Sequence, residues 1–381
     1  MISRFTIDGS PALEKKLAQT CQRIASEVRE VIPNGRLEAL LLGGGYGRGQ
    51  GGVLKTESGD KPYNDLEFYV CLRGNEILNR QKYQCALHNL SEEISPDAGL
   101  EVEFKISSLE KLQKSPPTMF AYDLVWGHQT LIGDDERFRE RAAPHASEIP
   151  LFEATRLLMN RCSGLLFAKE HLQRKPFTAD DADFVGRNHA KAQLGFGDVF
   201  LAAHGKYHWD CRERHQRLSN FSPEHNLPWL EEVRRHHAIG MEFKLHPQRA
   251  ANSMEIFCDH QRELAHLGLK IWLWLESKRL KQIFTTATDY ALSSIDKCPE
   301  TNPIRNLLVN AKVFGPQMLR ERKPSRYPRE RLLHSLVLML WEPAALTIPS
   351  LRHRLQIELR TNAITFSEFV KAYETLWKHF N

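Results

Sequence analysis

The chain has 381 residues, of which 41% are hydrophobic, 9% aromatic and 26% charged. At roughly 150 residues per domain, this length predicts about two or three domains, and the composition excludes a wholly disordered, collagen-like or coiled-coil protein. The 52 basic and 47 acidic residues give a formal net charge of +5, which is too small to indicate a class of partner.

Cysteine usage and hydropathy indicate the cellular setting. The seven cysteines include no C-x-x-C pair, so neither a zinc knuckle nor a disulfide framework is suggested. The N-terminal residues lack the apolar run of a signal peptide. The most apolar later stretch, residues 267–275, contains Lys270 and is far shorter than the ~20 residues of a membrane-spanning helix. We therefore expect a soluble protein of the reducing cytoplasm, without membrane insertion.

The first third of the chain alternates between helical and strand-like patterns. Apolar residues spaced by three and four predict a helix over residues 11–32, ended by the turn residues Pro33-Asn34-Gly35. Three short apolar segments have the length of strands, and a helical pattern lies between the second and the third. The strand segments are residues 37–42, 66–72 and 100–106, and the helix covers residues 75–94. A further strand is expected over residues 123–132.

Beyond about residue 148 the pattern changes to long helical periodicities without a persuasive strand. These cover residues 152–172, 180–204, 227–242, 250–280, 285–294, 329–341, 350–359 and 367–380. The predicted fold class is therefore α+β. A mixed-sheet domain with an N-terminal helix is expected over residues 1–147, followed by an all-helical domain over residues 148–381.

A glycine-rich loop follows the first predicted strand. Residues 43–52 read GGGYGRGQGG, directly after the apolar run LLL. Because glycine has no Cβ, backbone N–H groups in such a loop can approach a phosphate chain closely. The spacing fits neither a Walker loop nor a dinucleotide-binding fingerprint, so the loop alone leaves a plain flexible turn as the alternative.

The second predicted strand begins with two carboxylates. Residues two apart in a strand point to the same face, so Asp65 and Glu67 lie side by side while Leu66 and Phe68 enter the core. Adjacent carboxylates repel each other, and beside a phosphate-binding loop their natural counterpart is a divalent metal ion. The alternative is the exposed polar face of an edge strand.

The third predicted strand supplies further acids. In the segment LEVEFKI, strict alternation places Glu101, Glu103 and Lys105 on the face opposite the apolar residues. One glutamate can thus join Asp65 and Glu67, and Glu103 is favoured over Glu101 because it lies more centrally in the apolar run. Three converging acids on neighbouring strands match what two-metal nucleotidyl transfer needs.

This set of residues resembles the DNA polymerase β-like nucleotidyltransferase superfamily. The family pattern is an apolar residue, G-[GS], a spacer and D-h-[DE], where h is apolar, with a third acid on a later strand. The matching residues are Gly44, Gly45, Asp65, Glu67 and Glu103. The segments GGYGRGQGG and PYNDLEFYV are similar to those of an uncharacterised bacterial branch of the superfamily. Residues 122–134 resemble the strand that closes the catalytic domain in the antibiotic nucleotidyltransferase branch.

The resemblance implies a function for these residues. It implies that Asp65 and Glu67 ligate Mg²⁺ or Mn²⁺, and that Glu103 ligates the catalytic ion and helps to deprotonate an acceptor hydroxyl. The donor would be a nucleoside triphosphate, with ATP expected, and the acceptor could be a small molecule, a protein or RNA. The loop residues implied to hold the triphosphate are Gly44, Gly45, Tyr46, Gly47 and Arg48. Among them, Arg48 is the candidate for neutralising phosphate charge.

The resemblance covers about residues 36–135, and the sequence departs from the family pattern at two places. Gly45 replaces the serine that is frequent there, which removes a hydroxyl contact to the terminal phosphate. The spacer between Gly45 and Asp65 is longer than usual, and residues 53–63 are predicted to form an inserted hairpin or loop.

One segment of the predicted helical domain is a candidate for nucleotide binding. Helical domains that cover this catalytic fold commonly supply a lysine to the triphosphate, and Lys191, with Arg187 one turn earlier, is a plausible provider. Asp198 either positions Lys191 or closes a helical turn. The alternative for Arg187 and Lys191 is a solvated helix face.

Three other functions compete with catalysis of nucleotidyl transfer. The first is a non-catalytic nucleotide-binding or antitoxin-like module, which has no need to keep three repelling carboxylates together. The second is an RNA-binding protein, in which the basic runs 212–217, 234–237 and 320–331 would contact RNA. Such runs are more often solvated faces. The third is a ribonuclease, because Arg329 and His334 fit the short motif of HEPN ribonucleases, a match that arises by chance among 17 histidines.

Overall fold

The computed structural model of the protein describes residues 4–114, 116–134, 145–223, 227–250, 252–320 and 323–380. The chain forms two compact units. The first comprises residues 1–150, 204–222 and 238–248, and the second comprises residues 151–203, 223–237 and 249–381. The first unit's opening segment ends at residue 150, close to the predicted boundary after residue 147. Two later segments, 204–222 and 238–248, also belong to the first unit, so one boundary in the sequence does not separate the units.

The fold class is α+β, as predicted, with strands near the N-terminus followed by many helices. The strands are β1 (Leu37–Leu42), β2 (Gly52–Thr56), β3 (Gly59–Tyr63), β4 (Asp65–Leu72), β5 (Glu101–Ser107) and β6 (Gln129–Ile132). The helices are α1 (Pro11–Val31), the single turn α2 (Gly44–Gly47), α3 (Glu76–Ala98), α4 (Leu109–Lys114), α5 (Met119–Trp126), α6 (Leu151–His171), α7 (Ala179–Ala203), α8 (Cys211–Ser219), α9 (Leu230–Leu245), α10 (Met254–Leu280), α11 (Ala287–Leu292), α12 (Pro303–Phe314), α13 (Pro328–Trp341), α14 (Pro349–Leu359) and α15 (Phe366–Phe380).

Four strands of the first unit form a mixed sheet in the order β5-β4-β1-β6. Strands β4 and β5 are parallel and are joined through α3, whereas β1 pairs antiparallel with both β4 and β6. Helix α3 begins after Asn75, whose side chain accepts hydrogen bonds from two backbone amides, and it ends at Gly99 with a φ of 79°. The capped helix thus delivers β5 to the parallel position beside β4.

The two faces of the sheet are buried by different apolar layers. On one face, alternate residues of β4 pack with residues of α1 and α3. On the other face, Tyr69 of β4 packs with Leu124 and Val125 of α5. Because side chains alternate along a strand, Asp65 and Glu67 lie on the same face as Tyr69 and α5.

Strands β2 and β3 form a separate antiparallel hairpin. The hairpin occupies the long spacer between the glycine loop and Asp65, where the sequence predicted either a hairpin or a loop. The chain therefore leaves the sheet after β1, makes the hairpin, and returns to the sheet at β4.

The predicted strand over residues 123–132 is wrong in its first part. Residues up to Trp126 belong to helix α5, which is capped by the side chain of Thr118, and only Gln129–Ile132 form a strand. The run FAYDLVW is almost wholly apolar, so periodicity does not distinguish a short strand from a buried helix there. The strand in this segment is therefore β6 alone.

Helices make up the second unit, without a strand among its described residues. Helices α6 and α7 pack against each other and against α10. The core includes Trp272 and Leu275 of α10, both fully buried. Within the described residues, none of the helices of the protein combines the length and the hydropathy that a bilayer crossing requires.

Candidate functional site

Three carboxylates meet at the beginning of β4 and β5. In the parallel register, Asp65 lies opposite Glu101, and Glu67 lies opposite Glu103. One carboxylate oxygen each of Asp65, Glu67 and Glu103 lies within 4.8 Å of the other two. We call these three residues the acid cluster. Glu101 is exposed at the start of β5 and is not part of the group, which favours Glu103 as the third acid.

A lysine lies between two members of the acid cluster. Lys105 Nζ is 2.9 Å from Glu67 Oε1 and 2.9 Å from Glu103 Oε2. Burial of the amine lowers the pKa of Lys105, but the charge of Glu67 and the hydrogen bonds to both carboxylates outweigh burial and raise the pKa above its ordinary value. Three carboxylates and one ammonium leave a formal charge of −2, which one divalent cation would balance. The carboxylates are thus partly compensated, and their repulsion is weaker than the sequence alone suggests.

The glycine turn after β1 touches the acid cluster. The amide of Gly43 donates to the carbonyl oxygen of Glu67 at 2.8 Å. Gly44 follows with a φ of +60°, and a Cβ at this position would lie 2.7 Å from Glu67 Oε2. A left-handed residue without a side chain is therefore needed where the turn passes the carboxylate.

The amides of the glycine turn fall into two groups. Those of Gly47 and Gly49 donate to the carbonyl oxygens of Gly43 and Tyr46, at 2.8 and 3.1 Å. By helix geometry, the amides of residues 44–46 have no acceptor within α2. The amide of Gly47 thus serves the turn itself, while the prediction that Gly44 and Gly45 hold a triphosphate stays a prediction.

Tyr46 holds the loop to the hairpin. Its ring is 2% exposed, and its hydroxyl donates to the carbonyl oxygen of Gly52 at 2.9 Å and accepts from the amide of Tyr63 at 2.8 Å. Burial raises the pKa of the Tyr46 hydroxyl above its ordinary value. The prediction that Tyr46 binds the nucleotide is thus corrected for the side chain, which is buried and committed to the backbone of β2 and β3.

Arg48 extends from the end of the glycine turn to helix α5. Its Nη1 lies 3.3 Å from Asp123 Oδ2, and its side chain is 15% exposed. The aliphatic part of the side chain crosses Gly127, where a Cβ would lie 2.5 Å from Arg48 Cγ. Arg48 Nε is buried and contacts no acceptor in the described part of the chain. Arg48 is therefore fixed on the face of the sheet that carries the acid cluster.

The segment of residues 204–222 adds a second arginine to this region, and this one is buried. The Tyr207 hydroxyl donates to Asp123 Oδ2 at 3.1 Å, and Arg214 Nη1 donates to the Tyr207 oxygen at 3.3 Å. Arg214 is 3% exposed, although the basic run 212–217 was expected to be a solvated face. The amide of Cys211 donates to Gln50 Oε1 at 3.2 Å, which joins α8 to the glycine loop.

The segment of residues 238–248 contributes Lys244, a half-buried residue of α9. Burial and the nearby charges of Arg48 and Arg214 lower its pKa to about 8, although Cys211 and Asp123 act in the opposite direction. No hydrogen bond or ion pair to Lys244 Nζ is present among the described residues. We call Arg48, Arg214 and Lys244 the basic cluster.

Tyr69 lies on the same face of β4 as Asp65 and Glu67, with Lys105 Nζ 5.6 Å from the centre of its ring. Burial and the charges of Glu67 and Glu103 raise the pKa of its hydroxyl, whereas the charges of Lys105 and Arg48 lower it. Arg48, through its contact with Asp123 of α5, and the acid cluster therefore lie on the same face of the sheet.

The residues that the sequence nominated in the helical half lie in the second unit. Arg187 of α7 pairs with Asp183 at 3.1 Å, and Lys191 is exposed on the same helix. Asp198 is buried and lies 3.2 Å from His237 Nε2. Asp198 thus contacts a buried histidine, which the sequence did not predict.

Two further groups of polar residues in the second unit have structural partners. Oxygen or nitrogen atoms of Glu232, His236 and Glu263 lie within 4.8 Å of one another, and Lys270 and Arg235 pair with the two glutamates. His334, the histidine of the ribonuclease-like motif, is 1% exposed, and its Nε2 lies 3.2 Å from Glu330 Oε1. A histidine buried in this way is not placed to cleave RNA.

Comparisons with protein-family models, with curated proteins and with solved structures found no match for this chain. The chemistry of the site therefore has to follow from its own residues.

Proposed function

We propose that the protein is a metal-dependent nucleotidyltransferase. It would move a nucleoside monophosphate from a nucleoside triphosphate, with ATP the expected donor, to a hydroxyl of a small molecule, a protein or RNA, and release pyrophosphate. The observation that supports this most strongly is the convergence of Asp65, Glu67 and Glu103 beside the glycine turn at Gly44. The proposed setting is the reducing cytoplasm, where the free cysteines of the chain are stable.

The donor set of the acid cluster fits Mg²⁺ or Mn²⁺. All three residues offer carboxylate oxygens, the hard ligands that these ions prefer. The ammonium group of Lys105 already lies between Glu67 and Glu103, where it supplies a positive charge to these carboxylates as a metal ion would. Bound there, a divalent metal supplies the positive charge that stabilises the attacking and leaving oxygens of a phosphoryl centre.

The residues of the chain have separate tasks in this reaction. Asp65 and Glu67 are held by the parallel pairing of β4 with β5, in which they lie opposite Glu101 and Glu103. A carboxylate oxygen of Glu103 accepts the proton of the acceptor hydroxyl as the new phosphate ester forms. Because Gly44 has no side chain, the backbone of the turn comes close to the carboxylate of Glu67. A phosphate chain bound by the turn would therefore lie beside the acid cluster.

The experiment that tests the proposed function removes one ligand at a time. Asp65→Asn and Glu67→Gln each lose an anionic oxygen with little change in shape, so magnesium-dependent pyrophosphate release in a lysate should fall by at least about 100-fold. Circular dichroism would check that both variants are folded, and Glu101→Gln is the matched control from the same face of the sheet. Turnover at the wild-type rate in either variant would contradict the assignment.

The non-catalytic alternative predicts a different result for the wild type. A nucleotide-binding module would bind ATP in calorimetry but would release no pyrophosphate with any fraction of a lysate. That outcome would support binding without catalysis.

A further inference from the structure

An aromatic side chain is exposed in the first turn of helix α5. Phe120 is the second residue of this helix and is 47% exposed. Its backbone is fixed by the helix cap, because the amide of Ala121 donates to Thr118 Oγ1 at 3.0 Å. Exposed apolar residues occur singly on most proteins, so the surroundings of Phe120 decide whether its ring has a function.

The ring of Phe120 packs on the ring of Tyr69. The two ring centres are 5.5 Å apart, and the ring planes are inclined at 49°. Tyr69 is 5% exposed, so it supports Phe120 from below while part of the Phe120 ring faces solvent. Because Tyr69 stands on the face of β4 that carries Asp65 and Glu67, Phe120 lies over the same face.

The Tyr69 ring also touches the glycine turn and approaches the acid cluster. A Cβ on Gly43 would lie 2.5 Å from Tyr69 Cε2. Lys105 Nζ lies 5.6 Å from the centre of the Tyr69 ring and 2.9 Å from Glu67 Oε1. A single aromatic ring therefore separates Phe120 from the glycine turn and from Lys105.

Leu124 shows how α5 crosses this part of the sheet. It packs with Tyr69 in the apolar layer, and a Cβ on Gly43 would lie 3.3 Å from Leu124 Cδ1. Residues four apart in a helix lie on the same side, about 5–6 Å from each other. Phe120 therefore lies one helical turn away from the point at which α5 meets the glycine turn.

We propose that Phe120, supported by Tyr69, stacks on the purine base of the donor nucleotide. The inference rests on the proposed function, in which the metal ion and the phosphates lie at the acid cluster. The ribose joins the base to the phosphates, so the base lies a short distance beyond them, where the exposed ring of Phe120 stands. Every base has a π-face that an aromatic side chain can cover, and a purine offers a larger face than a pyrimidine. Stacking on a ring face does not read the edge of the base, so ATP and GTP should bind alike.

Calorimetric titration with a donor that cannot be cleaved tests the role of Phe120. The probe is ATP with a methylene group between the α- and β-phosphorus, in the presence of Mg²⁺. Phe120→Ala should weaken binding of this analogue by at least about fivefold, because a base–aromatic stack contributes that much or more. It should leave the affinity for inorganic triphosphate unchanged, because triphosphate has no base. The matched control is Ile77→Ala, at the second position of α3 and 67% exposed, which should bind both probes as the wild type does.

Two other substitutions of Phe120 separate stacking from apolar packing. Phe120→Trp keeps an aromatic face, so it should bind the ATP analogue at least as tightly as the wild type. Phe120→Leu keeps apolar bulk but has no aromatic face, so it should bind the analogue as weakly as Phe120→Ala. Wild-type affinity in Phe120→Leu would show that Phe120 only packs on Tyr69, and would overturn the proposal.

Base preference provides an independent readout. The wild type should bind the corresponding GTP analogue about as tightly as the ATP analogue and the CTP analogue more weakly, and Phe120→Ala should reduce the difference between purine and pyrimidine. A wild type that binds the CTP analogue as tightly as the ATP analogue, or that binds none of them, would contradict the proposal.

The failure of this inference can be distinguished from the failure of the proposed function. If Phe120→Ala binds the ATP analogue as the wild type does while the wild type releases pyrophosphate in a lysate, stacking on Phe120 is refuted and nucleotidyl transfer stands. If Phe120→Ala loses affinity for the analogue but not for triphosphate, and the wild type releases no pyrophosphate, stacking on Phe120 stands and the proposed function fails.

Discussion

At the scale of single residues, Lys105 governs the electrostatics of the acid cluster. It lies 2.9 Å from oxygens of both Glu67 and Glu103, so it relieves carboxylate repulsion in the protein without metal. The same charge opposes a divalent cation that approaches these two carboxylates. Lys105 is therefore expected to weaken metal binding in the absence of nucleotide.

Replacement of Lys105 tests this effect directly. Lys105→Met should tighten Mn²⁺ binding to the nucleotide-free protein by about tenfold or more, because one opposing charge a few ångströms away is removed. Titration of free Mn²⁺ by electron paramagnetic resonance measures the affinity. The control is Lys114→Met, whose exposed lysine pairs with Glu110 one helical turn earlier. Unchanged or weaker Mn²⁺ binding in Lys105→Met would disprove the opposing role.

Replacement of Glu103 should lower kcat far more than replacement of Glu101. A residue that accepts a proton in the transition state contributes mainly to kcat, so Glu103→Gln should lower kcat by roughly 100-fold or more with a small change in KM. Glu101→Gln should change both constants little, because Glu101 is exposed and outside the acid cluster. Steady-state kinetics decide the matter, and a reversed result would make Glu101 the third acid.

At the scale of elements, the turn between β1 and α2 fixes the distance between backbone and carboxylate. Gly44→Ala should lower the free energy of unfolding by about 1–2 kcal/mol, since φ is positive there. It should also weaken Mn²⁺ binding by about tenfold, because the added Cβ would lie 2.7 Å from Glu67 Oε2 and displace this carboxylate.

A second glycine separates backbone strain from displacement of the carboxylate. Gly59, the first residue of β3 directly after the hairpin turn, has a φ of +107°, and a Cβ there would meet nothing within 4 Å. Gly59→Ala should therefore destabilise the protein without a change in Mn²⁺ affinity. Equal loss of Mn²⁺ affinity in Gly44→Ala and Gly59→Ala would show that strain alone is responsible.

Strand alternation is the local rule that made much of the first unit predictable. It places Asp65, Glu67 and Glu103 on one face of the sheet, where the structure has them. The same rule places Lys105 on this face. It does not predict that Lys105 pairs with Glu67 and Glu103, because this pairing depends on the register between β4 and β5. Helix α5 escaped prediction because its short apolar sequence has no strong period.

At the scale of the whole molecule, contacts between distant segments complete the candidate site. The amide of Cys211 bonds Gln50 across 161 positions of sequence, and a Cβ on Gly52 would lie 3.3 Å from the carbonyl oxygen of Lys244. Local patterns do not encode such contacts, and both residues belong to sequences that read as ordinary helices. The acids could thus be predicted from the sequence, whereas two of the three basic residues could not.

The basic cluster should make stability depend on pH. Burial and Arg48 lower the pKa of Lys244 from 10.5 to about 8, while Arg214 adds to the effect and Cys211 and Asp123 oppose it. Between these values the unfolded chain binds more protons than the folded chain, so this residue's contribution to stability rises with pH. The cost of its charge is fully present below about pH 8.

Calorimetric melting of wild type and Lys244→Met measures this cost. At pH 7 the variant should melt about 2 °C or more above the wild type, because it lacks the buried charge. The difference should shrink as the pH is raised to about 9 and then about 10, since Lys244 then loses its proton in the folded state. A constant difference across this range would show that the charge of Lys244 is not the cause.

The fate of labelled ATP decides whether the protein transfers a nucleoside monophosphate. The protein is incubated with Mg²⁺ and a lysate, once with ATP labelled at the α-phosphorus and once with ATP labelled at the γ-phosphorus. Nucleotidyl transfer predicts that the α label becomes attached to an acceptor while the γ label appears in pyrophosphate, and that Asp65→Asn does neither. Transfer of the γ label to an acceptor, or release of pyrophosphate by Asp65→Asn at the wild-type rate, would refute nucleotidyl transfer at this site.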